Sequence, residues 1–270
     1  MTYLMEHDEE IFRLEIKTDA KAVQHQARWA GIRPGMRVAD IGCGPGKTSH
    51  ILHELVQPGG EVVGVDFSES RLAHANKTYA TGGLTFVRQN AVEGFEDIGE
   101  FDFLWVRFFL EYHRKNAARI VNNMSNITKP GGIICLIDLD CNCMNHFQMP
   151  DRLALNMRRF IQKLESDADF DPYMGIKLYS FLYDLGFEDI DVSMAPHHLI
   201  FGELNERDAY NWAKKVEVAF QRSGFQLVDY PGGYEEFYQE FSDFFTNPRR
   251  FTYTPLIACR GRKPHSLLPR

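Results

Sequence analysis

No stretch of this chain is long and apolar enough to cross a bilayer, and its first residues lack the pattern of a secretory leader. The expectation is a cytoplasmic protein with no membrane partner. Cysteine is scarce and unpaired in pattern: five residues, an odd number without scaffold spacing. That excludes a disulfide-stapled domain and fits a reducing compartment. Cys141 and Cys143 stand one residue apart and no second pair follows, so together with His146 they lack the spacing of a zinc knuckle. No metal is expected. Positive charge is also in deficit, with 30 Lys and Arg against 37 Asp and Glu and a net charge of −7. A chain so charged does not take nucleic acid as an obligatory partner, because phosphate binding needs a positive face. The short basic runs Arg249-Arg250 and Arg260-Gly261-Arg262-Lys263 leave room for a local basic patch, and the tail reads as a solvated terminus. Internal repeats and low-complexity segments are missing too. What remains is ordinary for a globule: 270 residues, 44% hydrophobic and 25% charged. That is enough for one domain with an elaboration.

The informative stretch is Val38-Ala39-Asp40-Ile41-Gly42-Cys43-Gly44-Pro45-Gly46-Lys47-Thr48. A short apolar run ends at an acid, and glycines follow at alternate positions. After them, Ile51, Leu52, Leu55 and Val56 share one helical face. This is strand, glycine turn, helix. Glycines let a ligand lie against bare backbone, and the helix start offers free N–H groups and a positive dipole end. A nucleoside-bearing cofactor is expected here. The dinucleotide fingerprint G-x-G-x-x-G fits Gly42 and Gly44, but its third place falls on Lys47. Close helix–strand packing is then left without its glycine. The Walker A pattern G-x-x-x-x-G-K-[ST] matches Gly46-Lys47-Thr48, but its first glycine would fall on Ile41.

The third reading fits best. Asp40-x-Gly42-x-Gly44-x-Gly46 resembles motif I of the class I S-adenosylmethionine (SAM)-dependent methyltransferases. Further segments occur in that family's order. Glu61 to Asp66 is an apolar run ending in an acid, with Phe67 after it and Ser68 as a helix N-cap. Leu84 to Arg88 alternates as a strand and leads to Gln89-Asn90-Ala91. Phe101 to Arg107 and Gly131 to Asp138 give two more strands, the second preceded by Lys129-Pro130. The resemblance implies an α/β, doubly wound, Rossmann-like fold. Its sheet would have seven mostly parallel strands with the last antiparallel, N-terminal helices, and a helical cap inserted before the last strand. The implied cofactor is SAM. Asp40 would lie near its methionine amino group, with Gly42, Cys43, Gly44 and Gly46 under the methionine and ribose. Asp66 would accept the ribose hydroxyls, Phe67 would face adenine, and Asn90 and Ala91 would meet the adenine edge. Asn90 stands where the family commonly has an acid, but an amide oxygen can still accept from the adenine amino group.

The expected organisation is an N-terminal helical cover over residues 1–35, a SAM-binding core over 36–196, a cap insertion over 197–250, and a final strand and tail over 251–270. Arg13 and Lys17, one turn apart, are candidates to meet the SAM carboxylate from the cover. Two aromatic stripes mark the insertion: Ala209, Trp212, Ala213, Val216 and Phe220, then Tyr234, Phe237, Tyr238, Phe241, Phe244 and Phe245. They are expected to pack a cap over the sheet edge, or to form a homodimer interface. In the last strand, Pro255 lacks a ladder donor, which predicts a bulge or an edge position.

Methyl transfer from a sulfonium needs alignment and dryness more than acid catalysis, so a catalytic residue need not stand out, and none does. Arg107, at the end of the fourth strand, is a candidate for the SAM carboxylate. Phe108, Tyr112, His113 and His146 are candidates for the substrate pocket, and His113 titrates near neutral pH as a base would. The pair His197-His198 reads as pocket lining or satisfied polar residues. The expected activity is methyl transfer to a small molecule. The alternative is a SAM-binding module or partner subunit without chemistry.

Overall fold

A computed structural model describes Ile11, Leu14, Glu15, residues 18–142 and residues 144–265, apart from the side chains of 207, 219, 221 and 222. Arg13, Lys17 and Cys143 lie outside the described residues. Eight strands form one sheet: β1 (Arg37–Ile41), β2 (Glu61–Asp66), β3 (Leu84–Arg88), β4 (Phe101–Arg107), β5 (Thr128–Leu139), β6 (Asn145–His146), β7 (Glu188–Phe201) and β8 (Phe251–Arg262). The helices are α1 (Ala20–Ala30), α2 (Lys47–Val56), α3 (Glu69–Tyr79), α4 (Ala117–Asn126), α5 (Asp151–Asp167), α6 (Leu178–Asp184), α7 (Glu206–Ser223) and α8 (Gly233–Thr246). The sheet order is β3-β2-β1-β4-β5-β8, with β7 beyond β8. Strands β1 to β5 are parallel, and β8 runs antiparallel to both β5 and β7.

Successive residues of a strand face opposite sides of a sheet, and both sides here are covered. Val38, Phe103, Trp105 and Cys135 meet α1, α2 and α3 on one face. Ala39, Leu104, Val106 and Leu136 meet α4 and α6 on the other. This explains why the strands read as apolar runs rather than alternating patterns. The helices start and stop at local signals. Asp19 caps α1 by accepting from the backbone N–H of Lys21 at 2.9 Å and of Ala22 at 3.2 Å. Gly31, at φ 103°, ends it in the left-handed region that glycine tolerates. Ser68 caps α3 and Asn205 caps α7. Among the described residues, no helix is long and apolar enough to cross a membrane.

Three details differ from the expectation. The sheet gains a short eighth strand, β6, which pairs with Tyr253 and Thr252 of β8 where β5 has ended. The cap is larger than the insertion over 197–250. A third apolar cluster joins Leu153, Phe160 and Leu164 of α5 to Trp212 and Phe220 of α7 and to Phe237 and Phe241 of α8. Helix α5 buries its apolar face in this cluster. Finally, Pro255 sits in an interior strand, between β5 and β7. Its partner across the ladder is Pro196, and the expected bulge meets it from the partner strand, as a register shift in β7 between Pro196 and His198; a second shift in β7 lies between Glu188 and Asp191.

Candidate active site

The site lies at the carboxyl ends of β1, β2 and β4. Gly42, Gly44 and Gly46 all have positive φ, at 75°, 55° and 96°. Each glycine answers a different constraint. A Cβ on Gly42 would sit 2.4 Å from the Phe109 ring, so the first turn is pressed against the segment after β4. At Gly44 the nearest atom would be Leu14 Cδ1 at 3.8 Å, so the bare backbone faces open space. A Cβ on Gly46 would lie 2.8 Å from Ala75 Cβ and 2.9 Å from the Phe86 ring. Gly46 therefore fills the close-packing role that the spacing had left vacant, and it is not on the cavity wall. Lys47 is no phosphate lysine: its ammonium is spent on the carbonyl of Glu15.

A cavity of about 450 Å³ opens above this loop. Asp40, Gly42, Cys43, Gly44, Asp66, Phe67, Asn90, Ala91 and Arg107 all border it, as do Phe108, Tyr112 and His113. Asp66 ties its floor together. One carboxylate oxygen accepts from Gly44 N–H at 2.9 Å and the other from Ser68 N–H at 2.8 Å. Each oxygen retains a lone pair for a ligand hydroxyl. Asp40 accepts from the Ser49 hydroxyl at 2.6 Å. Burial pushes its carboxyl up to about 7, opposed by Ser49 and Arg107 and reinforced by Asp66. Asn90 Oδ1 accepts from Val92 N–H at 3.1 Å, and Phe67 is exposed beneath Arg88. Cys43 is buried, and burial holds its thiol protonated. Burial also lowers the His113 imidazole below its ordinary range, leaving it neutral and able to accept a proton.

The cavity suits an adenosyl amino acid. It offers an exposed aromatic ring, an acid on the second strand, bare backbone at Gly44, and an acid and a guanidinium at the far end. Lys47, which borders it, is held by the Glu15 carbonyl and so does not form the cradle that a phosphate chain requires. Arg107 donates Nε to Gln26 Oε1 at 3.1 Å and lies over the Phe108 ring at 4.1 Å. Burial lowers its guanidinium to about 10, while Asp19, Asp138 and Asp40 act to raise it. Phe108 has a left-handed backbone at φ 56°, a strained state for a bulky residue.

Arg107 and Tyr112 also border a second cavity of about 510 Å³, between α1, β7 and α7. His197 and His198 line it. His146 does not border either cavity. Its Nδ1 lies 2.9 Å from Thr252 Oγ1, and its ring packs edge-on against Trp212 and Phe244 under the cap. The proximity of His146 to the Cys141 segment in sequence gave no sign that β6 would turn it toward α7. Among the described residues, no group of three His, Cys, Asp or Glu side chains could hold a metal ion. Ser49, Gln26, Leu14 and Phe109 went unread in the sequence because only the fold brings them to the loop. Ser49 alone carried a signal, one turn into the helix after the glycines.

With this geometry in hand, comparisons with known proteins agree. The family model described as a methyltransferase domain matches residues 32–206, and the chain belongs to that family. The matched residues include the glycine loop and the strands that carry it. Demethylmenaquinone methyltransferase of Staphylococcus aureus is 35% identical over 109 residues, 39% of this chain and 44% of that protein. The chain thus matches less than half the length of this curated relative. A methyltransferase structure from Bacillus halodurans C-125 superposes with a TM-score of 0.56 at 19% identity, covering 90% of this chain and 99% of the other. Phosphoethanolamine N-methyltransferase 2 of Haemonchus contortus, in complex with phosphomonomethylethanolamine and S-adenosylhomocysteine, superposes at 0.56 and 16% identity over 91% of this chain and 52% of its own. These structural likenesses concern the fold.

Proposed function

We propose that this chain is a SAM-dependent methyltransferase of a small molecule, and that the cavity over the glycine loop holds S-adenosyl-L-methionine while the second cavity holds the acceptor. The observation that carries this is the shared wall: Arg107 and Tyr112 border both spaces. In this reading Asp40 faces the cofactor's ammonium and Asp66 its ribose hydroxyls. Phe67, Asn90 and Ala91 face adenine, and Arg107 holds the carboxylate end.

The bound cofactor supplies a methyl group already activated on a sulfonium. The chain's contribution is to orient and to exclude water. Gly44 lets the cofactor approach the backbone, and Asp66 locks that backbone in place through Gly44 N–H. Phe108, held in its strained conformation, packs against Arg107 and lies 4.8 Å from His197. The acceptor atom enters at the Arg107–Tyr112 boundary. If it carries a proton, neutral His113, which borders the cofactor cavity, is a candidate to take it.

Calorimetry with S-adenosylhomocysteine tests the cofactor half, with micromolar binding expected. Transfer of a radiolabelled methyl into the small-molecule fraction of a cell extract tests the other half. Label recovered only in macromolecules would overturn the small-molecule reading.

A further inference from the structure

The second cavity has a charge pattern that selects its occupant, and the choice of occupant rests on that cavity being the acceptor site. Its carboxylates are already engaged. Asp19 accepts two backbone N–H groups of α1. Asp208 accepts from the Asn205 amide at 2.7 Å. Glu111, almost wholly buried, accepts from Asn142 Nδ2 at 2.8 Å.

The cations are matched differently. Lys21 is exposed at the rim. Arg107 lies in the field of Asp19, Asp138 and Asp40. Lys215 reaches in from α7 and donates Nζ to the neutral Asn142 Oδ1 at 3.0 Å. Among the described residues it forms no ion pair, whereas its neighbour Lys214 meets Glu217 at 3.4 Å. Asn142 thus turns its oxygen to an ammonium and its nitrogen to a carboxylate, which fixes the amide's orientation. The walls around this strip mix polar side chains with three aromatic ones. Trp29, Tyr112 and Trp212 border the cavity, and Lys215 Nζ lies 5.5 Å from the Trp212 ring centroid.

We propose that the second cavity takes a flat organic acid, its carboxylate held by Lys215 and its body against Trp29, Tyr112 and Trp212. The methyl-accepting atom would then lie at the Arg107–Tyr112 boundary. One ammonium balances one negative charge. A phosphate dianion would leave its second charge close to buried Glu111, separated from it only by the Asn142 amide. A cationic acceptor would meet Lys215 directly.

Benzoate and benzamide are matched probes, alike in shape and different in charge. Their binding to enzyme saturated with S-adenosylhomocysteine is measured by saturation-transfer NMR and competition calorimetry. Benzoate is expected to bind about tenfold more tightly than benzamide. Lys215→Met is expected to erase that preference and Lys215→Arg to keep most of it, with S-adenosylhomocysteine affinity unchanged within about twofold in both. Equal binding of the two probes, no benzoate binding, or a preference that survives Lys215→Met would each overturn the proposal. Failure of S-adenosylhomocysteine to bind the wild-type enzyme would instead overturn the cofactor reading, so the two failures are told apart. A melting temperature for each variant separates lost recognition from lost folding.

Discussion

Asp40 carries its charge at a cost. Its carboxyl titrates near 7 in the folded chain against an ordinary 3.8, because burial disfavours the ion. A raised acid binds its proton more tightly in the native state. Its contribution to stability is whole below 3.8 and is lost as the pH rises through about 7. Asp40→Asn removes the titration. The stability of the wild type relative to that variant should therefore fall between pH 4 and pH 8 in urea titrations. A difference that stays flat across the range would contradict the assignment. Asp66 makes the complementary case, since its two oxygens hold Gly44 and Ser68 and face the cavity. Asp66→Ala should weaken S-adenosylhomocysteine binding by about 100-fold, the equivalent of two hydrogen bonds to a charged group. Circular dichroism should remain native. Calorimetry giving wild-type affinity would remove Asp66 from the site. Both acids were legible in the sequence because each ends an apolar run. Ser49 and Gln26, which hold Asp40 and Arg107 in place, were not, because nothing local in a helix states what its far face will meet.

At the scale of elements, the glycine turn sets how closely α2 and α3 approach the sheet. Gly46→Ala places a methyl 2.8 Å from Ala75 Cβ, at a backbone φ of 96° that alanine resists. The expected loss of stability is about 2–4 kcal/mol, combining strain with overpacking. Gly82→Ala, where a Cβ would meet nothing within 4 Å, serves as the control and should change stability by less than about 0.5 kcal/mol. Chemical denaturation of both variants gives the comparison, and a neutral Gly46→Ala would mean that α3 is free to shift. The parallel strands and their helices were readable because fully buried strands are apolar runs bounded by turns. Strand β6 was not: two residues carry no periodicity, and their pairing depends wholly on where β8 returns.

At the scale of the molecule, the aromatic cap is a separate body of packing. Phe237 is fully buried, with ring centroids 4.4 Å from Phe220 and 6.4 Å from Phe241. Phe237→Ala should cost about 3–5 kcal/mol, felt mainly in α5, α7 and α8. Hydrogen exchange should quicken in those helices while β1, β2 and β4 stay protected. S-adenosylhomocysteine affinity should hold within about twofold as methyl transfer falls. Faster exchange across the whole sheet would instead mean that cap and core unfold together. The two stripes in the sequence announced this cap, but the chamber beneath it was hidden. Its walls come from α1, β7 and α7, segments that lie far apart along the chain. Where those walls meet, Arg107 belongs to both rooms. A single guanidinium then senses both occupants, and the free energy with which one guest alters the other's hold must be equal in both directions. On the proposed assignment of the two cavities, cofactor and acceptor would bind as a thermodynamically linked pair, and replacing Arg107 should reduce their cooperativity in paired calorimetric titrations as well as weaken each alone.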